Sequence, residues 1–153
     1  MHRYAEKIKT FIAIGKLLAP LSTCKRLKVS AIIFPVDCSA IYALGYNGPP
    51  RGLSNDSCND VEGECGCAHA EGNAIAKFNN NVARPSILYT SFAPCHWCSS
   101  LIINCDKIVG IIYSDVYRSN RGQELMKAAH LPAIQEADIR YDHIELIRWK
   151  RLC

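Results

Sequence analysis

Two stretches, Cys67-Ala68-His69-Ala70-Glu71-Gly72-Asn73-Ala74-Ile75 and Ala93-Pro94-Cys95-His96-Trp97-Cys98, restrict this chain more than any other part of it. One imidazole and two thiolates close three corners of a zinc tetrahedron and leave the fourth to water, the open arrangement that a catalytic zinc needs. His69, Cys95 and Cys98 are the expected ligands. Glu71, two residues beyond the histidine, is then unligated and available for proton transfer. Taken singly these residues are ordinary: a buried histidine, two reduced core thiols, a glutamate at a helix start. Their joint spacing argues for the metal.

A chain of 153 residues, 49% hydrophobic and 21% charged, is long enough for one packed core and too short for two. We expect a single domain over residues 1–153, with the zinc-binding core within about 22–130. The net charge of +4 suits a phosphorylated small molecule or nucleic acid and decides neither. No basic run is long enough to track a polynucleotide, so none is expected as a partner. Nine cysteines would suggest disulfides in a secreted chain. However, Arg3, Glu6, Lys7 and Lys9 interrupt any leader-like apolar segment, and reduced thiols with metal sites fit a cytoplasmic protein, or the host cytoplasm for a viral one. No apolar run approaches a membrane span.

Tyr4, Ile8, Phe11, Ile12, Ile14, Leu17 and Leu18 recur at helical spacing up to Pro20. Val29 to Phe34 reads as a buried strand, and Ala40 to Tyr46 as its hairpin partner across a turn at Asp37 and Ser39. Asn47-Gly48-Pro49-Pro50-Arg51-Gly52 opens a long loop that runs with little periodicity to Cys67. Ala68 to Phe78 suits a helix with His69 and Glu71 near its N-terminus, and Ser86 to Thr90 a strand. Pro94 leads into a helix over Cys95 to Asn104, expected to carry both cysteines on one face of its first turn. A strand at Lys107 to Ser114, a helix at Gly122 to His130, a weaker strand near Ala133 to Ile139 and a tail from Ile144 to Leu152 complete the chain. This order predicts a mixed sheet with helices on both faces.

Four segments in this order resemble the cytidine deaminase superfamily, and within it the deoxycytidylate deaminases. Ser22-Thr23-Cys24-Lys25-Arg26-Leu27-Lys28-Val29 is similar to that family's entry into its first strand. Gly45-Tyr46-Asn47-Gly48-Pro49-Pro50-Arg51-Gly52 is similar to its substrate loop, and the His-x-Glu and Pro-Cys-x-x-Cys segments carry the zinc signature of nucleobase deaminases. The resemblance implies an α/β, cytidine-deaminase-like three-layer sandwich with a central five-stranded mixed sheet. It also implies hydrolysis of dCMP to dUMP and ammonia, supplying dUMP for dTMP synthesis. Whether dCTP is also converted to dUTP stays open.

By the same resemblance Asn47 bonds the sugar, Lys25 and Arg26 lie where the phosphate is handled, and Ala70, Ser91, Phe92 and Ala93 flank the base. Tyr117 faces the substrate, and Arg51, Arg118 and Arg121 are candidates for a neighbouring subunit's phosphate contacts. Cys24, Cys58, Cys65 and Cys67 match places where some relatives hold a second, structural zinc, which would order a loop poor in apolar residues. Cys38, Cys105 and Cys153 read as packing or surface thiols. A homo-oligomer, such as a hexamer, is expected, as is allosteric control by dCTP and dTTP with magnesium. Two rivals remain: a tRNA adenosine or other nucleobase deaminase, which should lack the first two segments, and an inactive zinc-stabilised binding module, which would have no use for Glu71.

Overall fold

The computed structural model describes residues 2–79 and 84–140. A five-stranded mixed sheet runs through the middle in the order β2-β1-β3-β4-β5. Its members are β1 (Ser30–Pro35), β2 (Ala43–Tyr46), β3 (Ser86–Phe92), β4 (Ile108–Asp115) and β5 (Ala133–Gln135). β1 lies antiparallel to β2 and β3, whereas β3, β4 and β5 are parallel. The parallel pairs need crossovers, and α3 (His96–Ile103) and α4 (Arg121–Ala128) supply them.

The strands read as continuous apolar runs because both faces of the sheet are covered. Successive side chains of β1 point to opposite sides: Ile32 and Phe34 meet Ile8 and Ile12 of α1 (His2–Leu18), with Ile87, Tyr89 and Ile112 in the same layer. Ala31 and Ile33 face the other way. There they pack with Leu88 and Ile111 against Ala70 and Ala74 of α2 (Ala70–Lys77), Ile102 of α3 and Met126 of α4. Helix α1 therefore forms one outer layer, and α2, α3 and α4 the other.

Element identities follow the sequence pattern, while several ends differ. The hairpin partner begins at Ala43 rather than Ala40, because Cys38 takes a left-handed φ of 51° and the chain pairs only from the Tyr42 amide, 2.8 Å from the Ile33 carbonyl. β5 stops at Gln135, and residues Glu136–Asp138 turn into a 3-10 segment. The Glu136 carboxylate there is drawn to Lys16 (2.8 Å) and Ser114 (2.5 Å). Pro20 does not stop the chain at the end of α1 but sits within a 3-10 turn, Ala19–Leu21. Cys95 is a correction of more consequence: it is the N-cap of α3, with extended backbone (φ −70°, ψ 171°), so only Cys98 belongs to the first helical turn. The tail expected at Ile144 to Leu152, and Cys153, lie outside the described residues.

Candidate active site

β3 ends at Phe92 and leads through Ala93 and Pro94 straight to the start of α3, beside the start of α2. His69 is the N-cap of α2 and Cys95 the N-cap of α3, so both are the last residues before a helix whose amides are free. Two helix starts thereby converge on one point. The His69 Nδ1 atom lies 3.4 Å from the sulfur of Cys95 and 3.4 Å from that of Cys98. With zinc–sulfur and zinc–nitrogen bonds of the usual length, the edge of a tetrahedron between them is about 3.6 Å, so these three atoms fit the ion.

Glu71 is one residue into α2 and almost wholly buried, at 4% exposure. Its Oε2 is 3.5 Å from the Cys98 sulfur. Burial raises the carboxyl's pKa above the ordinary range, and the nearby His69 opposes that shift. The thiols are driven apart in the same way: the Cys98 hydrogen bond helps pull Cys95 down to about 4, and Cys98 itself is pushed up by Cys95 and by burial. Two adjacent sulfurs that cannot both ionise alone form a donor set that calls for a cation.

A second group stands next to the first. The sulfurs of Cys24, Cys58, Cys65 and Cys67 lie within 4.8 Å of one another, and Cys24 and Cys58 are 4.0 Å apart. The Lys25 amide approaches the Cys58 sulfur at 3.4 Å, and amides of Lys25 and Asp60 lower that thiol to about 7. Such N–H donors suit a thiolate. Cys67 stands two residues before His69, so one short stretch serves both groups. Paired hydrogen bonds between Gly48 and Ala68, of 3.2 and 2.8 Å, hold that stretch to the loop after β2. Gly45 allows this approach, since a Cβ there would lie 2.2 Å from the Ala70 carbonyl oxygen.

The His69, Cys95 and Glu71 side chains open into a cleft of about 590 Å³. Of the residues expected to meet a substrate, Asn47, Ala70, Phe92, Ala93, Arg26 and Tyr117 line it, and so do Arg118 and Arg121. Two of the expected residues, Ser91 and Lys25, do not. Ser91 accepts the Ser30 amide at 3.0 Å, as part of the β1–β3 contact, and Lys25 points away toward the Asp56 carbonyl at 3.5 Å. Arg51, expected at a neighbouring subunit's phosphate rather than in its own chain's cleft, is exposed in the turn after β2.

Asn47 is more engaged than a turn residue would be. Its Oδ1 accepts from the Val29 amide and from Ser22 Oγ, both at 2.7 Å, while Nδ2 donates to the Leu27 carbonyl at 2.6 Å. One amide hydrogen is left to offer a ligand. Sequence reasoning missed Glu62, which lines the cleft and forms ion pairs with Arg26 (3.3 Å) and Arg118. Nothing in the spacing of Arg26, Glu62 and Arg118 signals that contact. It also passed over Trp97, a cleft residue that is 78% exposed.

Residues 5–115 match the family model described as "Cytidine and deoxycytidylate deaminase zinc-binding region". The chain is 34% identical over 119 residues to deoxycytidylate deaminase of Saccharomyces cerevisiae, which covers 71% of this chain and 37% of that protein. It is 31% identical over 126 residues to the deoxycytidylate deaminase of Homo sapiens, covering 76% of this chain and 70% of that one. It therefore spans well under half of the yeast relative. In structure it resembles dCMP deaminase from the cyanophage S-TIM5, solved in complex with dCMP and dUMP, with TM-score 0.72 and 27% identity. That superposition covers 85% of this chain and 96% of the phage chain.

Proposed function

The chain belongs to the cytidine and deoxycytidylate deaminase family and has its three-layer fold, and from that premise we propose that it hydrolyses dCMP to dUMP and ammonia. The observation that carries this reading is the buried Glu71 carboxylate, 3.5 Å from the Cys98 sulfur, in a cleft also lined by Arg26, Arg118 and Arg121. A carboxylate beside a metal-competent group suits proton transfer. Arginines in the same cleft suit a phosphorylated substrate rather than a bare base.

His69, Cys95 and Cys98 would hold the zinc, whose role when bound is to make a water acidic enough to lose its proton near neutral pH. Glu71 accepts that proton. Attack of the remaining hydroxide on C4 of cytosine follows; Glu71 would pass its proton to N3, then take the proton of the new C4 hydroxyl and hand it to the departing amine, so that one water is consumed and one ammonia leaves. Burial keeps the carboxyl's proton affinity high enough to act as acid after it has acted as base. The remaining Nδ2 hydrogen of Asn47 would orient the sugar, and Phe92, Ala93 and Ala70, which line the cleft, would contact the base. Tyr117 lines the same cleft, with Arg118 over its ring, and would face the substrate.

Cys24, Cys58, Cys65 and Cys67 would hold a structural zinc, since four sulfurs leave no position for water. Among the described residues the groups able to hold a metal are these two sulfur-rich ones, which suit zinc; magnesium would enter only with a nucleotide. Trp97 and Leu101, one turn apart and exposed on α3, offer an apolar surface for a homo-oligomer. Within the described residues no helix is long and apolar enough to cross a membrane. Supply of dUMP for dTMP synthesis, acceptance of dCTP and control by triphosphates belong to the same proposal.

Ammonia release measured side by side with dCMP, dCTP, cytidine and cytosine tests it. Turnover of dCMP well above cytidine and cytosine is the expected result. Activity confined to adenosine in RNA, or absent with every substrate, overturns it.

A further inference from the structure

Glu62 holds an unusual place for a surface carboxylate. It lies in a turn closed by the Glu64 amide on the Val61 carbonyl at 3.1 Å, with Gly63 at φ +79°, a geometry that presents the residue before the glycine outward. The base of the loop is closed as well, by the Asn59 amide on the Cys65 carbonyl at 3.4 Å, between Cys58 and Cys65. From that platform the carboxylate meets two guanidiniums that reach it from distant parts of the chain: Arg26, beside the Ser-Thr-Cys segment, and Arg118, after β4. Arg118 is further positioned over the Tyr117 ring, 5.3 Å from its centre. All four residues line the catalytic cleft.

Exposed ion pairs contribute little to stability, so holding the fold together is a poor account of this arrangement. Two arginine forks converging on one carboxylate have the geometry that also grips a phosphate. The carboxylate and a phosphate cannot share the site comfortably, because two anions side by side repel. We propose that Glu62 is an internal anion which the substrate's phosphate displaces from Arg26 and Arg118, so that this residue sets how strongly the cleft distinguishes a nucleotide from a nucleoside. The inference rests on the deaminase reading of the cleft and adds to it a residue for specificity.

Binding to the full zinc-loaded chain, with no turnover involved, provides the test. Calorimetry with dUMP and with deoxyuridine gives the affinity ratio contributed by the phosphate, for wild type, Glu62→Gln and Arg118→Gln. That ratio should rise by about three- to ten-fold in Glu62→Gln and fall in Arg118→Gln. An unchanged ratio in Glu62→Gln overturns the proposal. A fall in that variant also overturns it, since it would make Glu62 a support that orients the arginines. Wild-type protein that binds neither ligand rejects the deaminase reading and this proposal with it, an outcome distinct from the other two.

Discussion

A methyl group placed on Gly122 would lie 2.1 Å from the carbonyl oxygen of Pro94 and 3.0 Å from the carbonyl carbon of Cys95. The first turn of α4 thus presses directly on the backbone that presents a proposed zinc ligand. Gly122→Ala should destabilise the protein by about 1–3 kcal/mol through overpacking, and weaken zinc retention more than a surface substitution of equal cost. Thermal unfolding together with zinc content after mild chelation checks both. Full stability and unchanged zinc retention would show that the contact relaxes freely.

Asn47 joins the segment 22–29 to the end of β2 through three hydrogen bonds of its side chain. Asn47→Ala leaves the Val29 amide and the Leu27 carbonyl without those partners, and should cost about 2–3 kcal/mol in urea unfolding at unchanged m-value. Its effect on catalysis should be larger on KM than on kcat.

Replacing Glu71 by Gln removes proton transfer but none of the sulfur or nitrogen donors. Glu71→Gln should keep its zinc and lose at least about a hundredfold in ammonia release from dCMP. Elemental analysis and steady-state kinetics on one preparation measure the two properties, and substantial residual turnover would reject the proton-shuttle role.

The two donor groups predict two zinc ions per chain. Cys58→Ser should bring the count to one and lower the unfolding temperature, because a structural zinc contributes folding energy to a loop with few apolar residues. Cys98→Ser should remove the other ion and abolish activity while leaving the loop's zinc in place. A single zinc in wild type, unchanged by Cys58→Ser, would eliminate the second site.

At the hairpin turn, Asp37 accepts the Ser39 amide at 3.0 Å and pairs with Arg84 at 2.9 Å. Ser39, chiefly, and then Arg84 hold its carboxyl below the usual aspartate range. A carboxylate with a depressed folded-state pKa stabilises the protein above its unfolded value and ceases to do so as pH falls through the folded one. The advantage of wild type over Asp37→Asn should therefore be constant above about pH 5, stay below about 1 kcal/mol because the pair is exposed, and vanish on further acidification. Unfolding of the two proteins from pH 7 to pH 3 checks the sign.

Local chemistry made much of this molecule readable from its residues. Val29 to Phe34 and Lys107 to Ser114 are mostly apolar, which marks strands covered on both faces, and the structure places β1 and β4 there. His-x-Glu and Pro-Cys-x-x-Cys made His69, Cys95 and Cys98 the candidate metal donors, because only a few side chains bind zinc, and the fold brings both sulfurs to 3.4 Å from the His69 ring nitrogen. Element ends were harder to read. Cys95 was expected in a helix and caps one instead, because a helical propensity carries no information on which backbone amide first finds a partner.

What the sequence determined by itself, then, is the order of the elements and the candidate donor set, since periodicity and donor type are properties of neighbouring residues. Tertiary structure alone decided that Arg26, Glu62 and Arg118 meet at one cleft mouth, that Ser91 and Lys25 turn away from it, and that Asn47 devotes most of its amide to the chain itself. The reason is physical. Such contacts join residues tens of positions apart, and their partners are selected by how the sheet and helices pack around a shared core, which no local pattern encodes.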